Sequence, residues 1–167
     1  MKMLKFVTVI VLAFCIITST CYAQENIYDN SEQYESNDEF VQDAQLIAKL
    51  LYRECRGVPS MTQRAAVAWV VLNRVDSEQY PNSVEEVILQ KNQFASINNP
   101  PVTEELYDLA ADVMMRHKWE KMGFTDVGRI IPEEYLWFAG KHGINTFRNR
   151  FSTPYRWDFS LKTPYID

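Results

Sequence analysis

Ala65-Ala66-Val67-Ala68-Trp69-Val70-Val71-Leu72 is the stretch that decides the fold. Ser60-Met61-Thr62-Gln63 stands in front of it as a capping box, and Asn73-Arg74 follows. The pattern predicts a helix over about 61–76. A helix that is apolar on nearly every face has no side to give to water, so it must be central and buried. The other elements must then pack around it. Asn73, on such a helix, needs partners for its amide and is expected to tie down a neighbouring loop.

Toward the N-terminus, Gly57 and Pro59 close a preceding helix. Its apolar positions Phe40, Ala44, Ile47, Ala48 and Leu51 recur at helical spacing, and Ser36-Asn37-Asp38-Glu39 opens it as another capping box. This helix is predicted over about 37–54, which leaves Glu54 at its C-terminal end in Tyr52-Arg53-Glu54-Cys55-Arg56-Gly57. Toward the C-terminus, Pro81-Asn82 makes a turn and Ser83-Val84-Glu85-Glu86 opens a short helix to about Gln90. A loop carrying Gln93 and Phe94 follows, and Thr103 caps a longer helix over about 104–119. His117 reads as a residue on the flank of that helix. Residues 121–134 are irregular. Tyr135-Leu136-Trp137-Phe138-Ala139 is a β-type run, Gly140-Lys141-His142-Gly143 a turn, and Asn145 to Phe151 the returning strand. Tyr155, Trp157 and Phe159 either pack on the body or extend its aromatic surface. The fold class is mainly α (α+β), a helical domain with one small β hairpin near the C-terminus.

The ends read differently. Lys2 and Lys5, the apolar run Phe6–Ile17 and Cys21-Tyr22-Ala23 have the form of a secretory signal over 1–23. Its apolar run is shorter than the ~20 residues of a spanning helix, so no stable membrane insertion is expected after cleavage. Residues 24–37 form an acidic linker too polar to bury, and 38–167 form the folded domain. Residues 24–43 hold seven acids and no base, so the acidity of a chain of net charge −5 belongs to the leader. The body lacks the clustered bases of a nucleic-acid footprint. Cleavage leaves Cys55 alone, without a disulfide partner, and it reads as a small buried residue rather than a reactive thiol. Two histidines and one remaining cysteine, far apart, make no metal site.

A carboxyl group at a helix C-terminus faces the negative end of the dipole, which disfavours the ionised form. A general acid in glycoside cleavage needs the protonated form. Arg53 and Arg56 push the other way if they are close, and taken alone a Glu in this setting is ordinarily a solvated residue.

Four blocks in order add to that reading: Leu50 to Pro59, Gln63 to Val75, Pro81 to Ile88 and Gln93-Phe94-Ala95-Ser96. Together they resemble the spore-cortex-lytic (SleB-type) cell wall hydrolase family, across about residues 44–151. The resemblance implies a lysozyme-like helical domain that cuts the glycan strands of peptidoglycan with Glu54 as the catalytic acid. With the signal-like residues 1–23, the chain is expected to be secreted or to act in the cell envelope. Cys55 replaces the family's usual Ala, Val58 stands where a second carboxylate is usual, and Asn145 stands at a histidine.

No second acid sits in the recognised motifs near Glu54, and Asp76, Glu78, Glu85 and Glu86 read more simply as surface or cap residues. With one acid the muramic 6-hydroxyl can serve as nucleophile, which is lytic transglycosylation; that is what the resemblance implies, with 1,6-anhydro ends and no metal or organic cofactor. Gln93, Phe94, Trp137, Phe138 and Asn145 are the expected substrate-binding residues, and a monomer is expected. The competing readings are a water-using lysozyme-type hydrolase, a catalytically silent wall-binding module, and an envelope interaction protein.

Overall fold

The computed structural model describes residues 37–94, 99–153 and 162–167. The expected signal, residues 24–36 of the linker including Ser36, the loop residues 95–98, and Tyr155, Trp157 and Phe159 lie outside them. Packing divides the chain into Met1–Phe40, whose described residues 37–40 are helical, and a body, Val41–Asp167. Helix α1 covers 37–54. Then come α2 (Met61–Asp76), α3 (Val84–Leu89), α4 (Glu104–Lys121), and the strands β1 (Trp137–Lys141) and β2 (Ile144–Arg148). The mainly α architecture with one hairpin is the expected one, and α4 runs two residues further than its periodicity predicts.

Helix α2 is the buried centre. Every residue from Ala65 to Arg74 is buried, and the helix packs against α3, α4 and β1. Ser60 Oγ accepts a hydrogen bond from Gln63 N at 3.1 Å, so half of the expected capping box forms. The reciprocal half does not, because Gln63 Oε1 turns away to accept from Asn145 N at 2.7 Å. A distant strand outcompetes the local cap. Ser83 and Thr103 cap α3 and α4 in the expected way, accepting from Glu86 N and Leu106 N.

The C-terminal end of α2 does what its buried polar residues require. Asn73 Nδ2 donates to Pro132 O at 2.9 Å and Tyr135 O at 3.1 Å, and Oδ1 accepts from Arg129 at 2.7 Å. Arg74 Nε donates to Leu136 O at 2.8 Å. The irregular segment after α4 is thereby fastened to the core, where Val127, Ile130 and Ile131 are buried. Arg129 lies 4.2 Å over the Trp69 ring and grips Glu120 of α4 through Nε at 2.8 and 3.0 Å.

The hydrogen bonds from Arg129 hold the Glu120 carboxyl below its usual value of 4.5, against the opposing effect of burial. A depressed carboxylate adds stability above its unfolded value and loses it as pH falls through the folded value. Thermal melts should therefore be flat with respect to this group above about pH 5 and fall as the pH drops below 4.5. Glu120→Gln should lower the melting temperature at pH 7 and flatten that acid limb. An unchanged limb would remove Glu120 from the account.

The hairpin corrects one expectation. Gly140 and Lys141 are not turn residues: they extend β1 and pair with Asn145 and Ile144. The turn is only His142-Gly143, at φ 55° and 77°, the two-residue loop with both φ positive that suits the twist of a hairpin. β1 accordingly lies two residues later than Tyr135–Ala139. Gly140 serves close approach instead: a Cβ there would lie 2.8 Å from Asn145 Oδ1. The last described segment straps the body. Asp167 accepts from Thr62 N at 2.9 Å and Ser60 Oγ at 2.7 Å, and Tyr165 donates to Asp112 at 2.8 Å.

Candidate active site

The site is assembled where the hairpin meets the end of α1. Cys55 N donates to Leu51 O at 2.9 Å, Val58 N donates to Cys55 O at 3.0 Å, and Gly57 at φ 79° turns the chain out. That is a helix stop built on a left-handed glycine. It leaves Glu54 as the last helical residue, half-buried. The hairpin turn sits directly on this stop, since a Cβ at Gly143 would lie 2.7 Å from the Gly57 carbonyl oxygen. A Cβ at Gly140 would lie 3.9 Å from the Glu54 carbonyl oxygen. The rung Gly140–Asn145 therefore faces the chain at Glu54.

Strand alternation then sorts the candidates. Residues on one face repeat every second position, so Phe138 and Phe147 share the face of Gly140 and Asn145, one rung-pair along, about 7 Å away. Phe94 stacks on Phe138 with ring centroids 6.2 Å apart, and Arg74 lies 4.7 Å over Phe94 and 4.8 Å over Tyr80. Gln93, exposed, accepts from Arg74 at 3.4 Å. Asn145, Phe138 and Phe94 thus follow one another along one face of the hairpin, starting beside the Glu54 main chain, and Gln93 is joined to them through Arg74.

Trp137 does not join them. It is adjacent to Phe138 in sequence and on the opposite face, edge-on to Phe151 at 6.4 Å. There it lines a separate cleft of about 390 Å³ with Asp76, Glu133, Glu134 and Asn149. Another cavity, of about 240 Å³, lies at the α1 end, lined by Tyr52, Cys55, Arg56, Gly57, Arg64 and Leu106. Glu54 lines neither of these two.

Asn145 has no exposed surface. Its backbone N–H is held by Gln63 and its Nδ2 lies 3.7 Å from Cys55 Sγ. Cys55 is itself buried, and burial pushes its thiol up to about 12, so it stays protonated and is no nucleophile at neutral pH. Neither histidine serves it: His117 bonds Asp76 at 2.8 Å, and His142 is exposed in the hairpin turn. Asp76, bonded also by Lys121 at 2.7 Å, joins α2 to α4. Burial would raise its carboxyl, but the bonds from His117 and Lys121 hold it low. Glu78, Glu85 and Glu86 are exposed, and the last two lie in the first turn of α3. Val58, where a second carboxylate was looked for, is only 2% exposed and part of the core. Among the described residues no three His, Cys, Asp or Glu side chains group to hold a metal ion. Among them, too, no helix is long and apolar enough to cross a membrane.

Two features of this site are silent in the sequence: the placing of Arg74 over both Tyr80 and Phe94, and the turn of Gln63 toward β2. A third, the packing of Gly143 on Gly57, has its signal in the glycine of the hairpin turn.

Comparison with known proteins places the middle of the chain. Residues 60–125 match the family model described as Cell Wall Hydrolase, a segment that includes Asn73, Arg74, Gln93 and Phe94 but neither Glu54 nor the hairpin. A spore cortex-lytic enzyme of Bacillus cereus is 46% identical over 55 residues, covering 33% of this chain and 21% of that protein. One from Oceanobacillus iheyensis is 34% identical over 83 residues, covering 48% and 30%. One from Bacillus subtilis is 33% identical over 73 residues, covering 44% and 24%. The chain thus spans less than a third of the length of these relatives. No solved structure matches it.

Proposed function

We propose that this chain, whose residues 60–125 match the family model described as Cell Wall Hydrolase, is an exported enzyme that cleaves the glycan strands of peptidoglycan, with Glu54 as its acid and base. The observation that carries this is the junction of α1 and the hairpin. A half-buried glutamate ends a helix, and its main chain meets a hairpin face that continues through Asn145 and Phe138 to Phe94. Sugar rings bind by stacking apolar faces on aromatic rings and by hydrogen bonds to amides. Phe94, Phe138 and Gln93 supply these on the Glu54 side. Trp137, on the other face, would meet a strand that continues around the hairpin.

The reaction we infer is lytic transglycosylation. Glu54 donates its proton to the glycosidic oxygen as the bond from muramic C1 to that oxygen breaks. The oxocarbenium-like carbon is then attacked by the 6-hydroxyl of the same sugar. A bond from O6 to C1 forms, and the hydroxyl proton passes to Glu54, which returns to its acid form. One carboxyl group suffices, whereas hydrolysis by two carboxylates needs a partner ~5–9.5 Å away. Support for the one-acid route comes from Val58, which is core, while Asp76 stands at the far end of α2, engaged with His117 and Lys121.

The chain is read as a 1–23 signal, a 24–37 linker and a 38–167 catalytic domain that acts as a monomer in the envelope. Mass spectrometry of fragments released from purified peptidoglycan tests the chemistry. The expected products end in 1,6-anhydromuramic acid, 18 mass units lighter than the reducing ends of hydrolysis by the elements of water. Reducing ends would replace this mechanism with a water-using one.

A further inference from the structure

One buried atom in the site is anomalous. Asn145 Oδ1 is fully buried and has no hydrogen-bond partner among the described residues. Leaving a buried amide oxygen unpaired costs roughly 1–3 kcal/mol, and native interiors rarely do so. The other end of the same amide, Nδ2, lies 3.7 Å from Cys55 Sγ. The oxygen and nitrogen of an amide are near-isosteric, and hydrogen bonding decides which is which.

We propose that Asn145 is a positioning residue whose amide lies the other way round, with Oδ1 accepting from the Cys55 thiol and Nδ2 donating to the main-chain carbonyl of Glu54. Each link has a physical ground. Cys55 is buried and keeps its proton, so its S–H is available to donate to an amide oxygen, the stronger acceptor of the two. The amide atom on the far side shares with the Glu54 carbonyl the space left by the missing Gly140 side chain, 2.8 and 3.9 Å from where a Cβ would stand. Glu54 is in the last turn of α1, whose carbonyls lack intrahelical donors, and Val58 N bonds Cys55 O instead. A carbonyl accepts two hydrogen bonds, so this one requires no vacancy there.

Asn145 then caps the α1 terminus from across the fold. Its backbone is pinned to Gln63 of α2 at 2.7 Å and its side chain to the end of α1. The hairpin, α1 and α2 are registered at one residue. With no exposed surface, Asn145 acts on the reaction through Glu54 rather than on the sugar. This role rests on the reading of Glu54 as the acid. The orientation of the amide does not.

Two measurements test it. The first needs no activity: NOE spectra of the ¹⁵N-labelled protein should connect the Asn145 side-chain NH₂ protons to the Gly140 α protons. Contacts to the Cys55 β protons instead would overturn the proposal. The second uses Asn145→Ala and Asn145→Asp on purified peptidoglycan. Misplacing a catalytic group by an ångström costs up to about 10²-fold, so kcat should fall roughly 10- to 100-fold with KM little changed. Asn145→Asp, adding a like charge behind Glu54, should also move the pH profile of kcat upward, which a merely structural residue would not do. A raised KM with kcat kept would make Asn145 a substrate contact and sink the positioning role. If wild-type protein clears no peptidoglycan, the enzyme reading fails while the spectra still decide the amide.

Discussion

Glu54→Gln will abolish the clearing of purified peptidoglycan and leave the fold intact. Gln has nearly the shape of Glu and keeps a hydrogen-bonding oxygen, but it has no proton of the needed acidity. General acid–base catalysis contributes about 10²–10⁴-fold, and here the same group is asked to act twice, once as acid and once as base. A loss of at least about 10³-fold in turnover is therefore expected. The residue is half-buried at a helix end rather than in the core, so the cost to stability should stay within about 0.5 kcal/mol. Turbidity loss measured beside a thermal melt separates the two effects. Clearing by the variant at the wild-type rate would remove Glu54 from the chemistry.

Gly143→Ala should be strongly destabilising. The position has φ 77°, where an L side chain costs about 1–3 kcal/mol. The new Cβ would also lie 2.7 Å from the Gly57 carbonyl oxygen, a main-chain atom that has no rotamer by which to escape. The sum, about 2–4 kcal/mol, corresponds to a melting temperature on the order of 10 °C lower. Activity should fall further than stability, because the turn that is displaced is the one seated on the helix stop after Glu54. Gly123→Ala is the control: φ is 89°, but nothing lies within 4 Å of the added carbon, so only the conformational cost applies. Equal melting temperatures for the two variants would show that the Gly143–Gly57 approach carries no energy of its own.

Much of the fold was legible because its causes are local. A run of apolar residues without a polar face must be buried wherever it goes, and α2 is. Ser60, Ser83 and Thr103 cap helices because an oxygen three residues before an amide reaches it in any context. Gly57 ends α1 because a left-handed turn is cheap for glycine alone. Asn73 required partners on principle, and has them in the segment that follows α4.

Two of the failures share a cause as well. Gln63 has the spacing for a capping box but bonds Asn145, 82 residues away. Gly140 has turn chemistry but stays in β1 because an Asn on the paired strand needs the space. Trp137 and Phe138 are both expected at the substrate, yet a strand puts neighbours on opposite faces, an alternation the β-type run itself carries. For Gln63 and Gly140 a long-range partner settled between options that the local sequence left equal.

By itself, then, the sequence determined the elements: where helices begin and stop, which one is central, and that a carboxyl group ends α1. These follow from periodicity, caps and glycine, all of which act within a few residues. Only the tertiary structure decided what stands beside that carboxyl group. Cys55 meets Asn145 across 90 residues, and Gly143 is seated on Gly57. Such contacts depend on how the chain closes over itself, and closure is set by the packing of the whole body rather than by any short stretch of it.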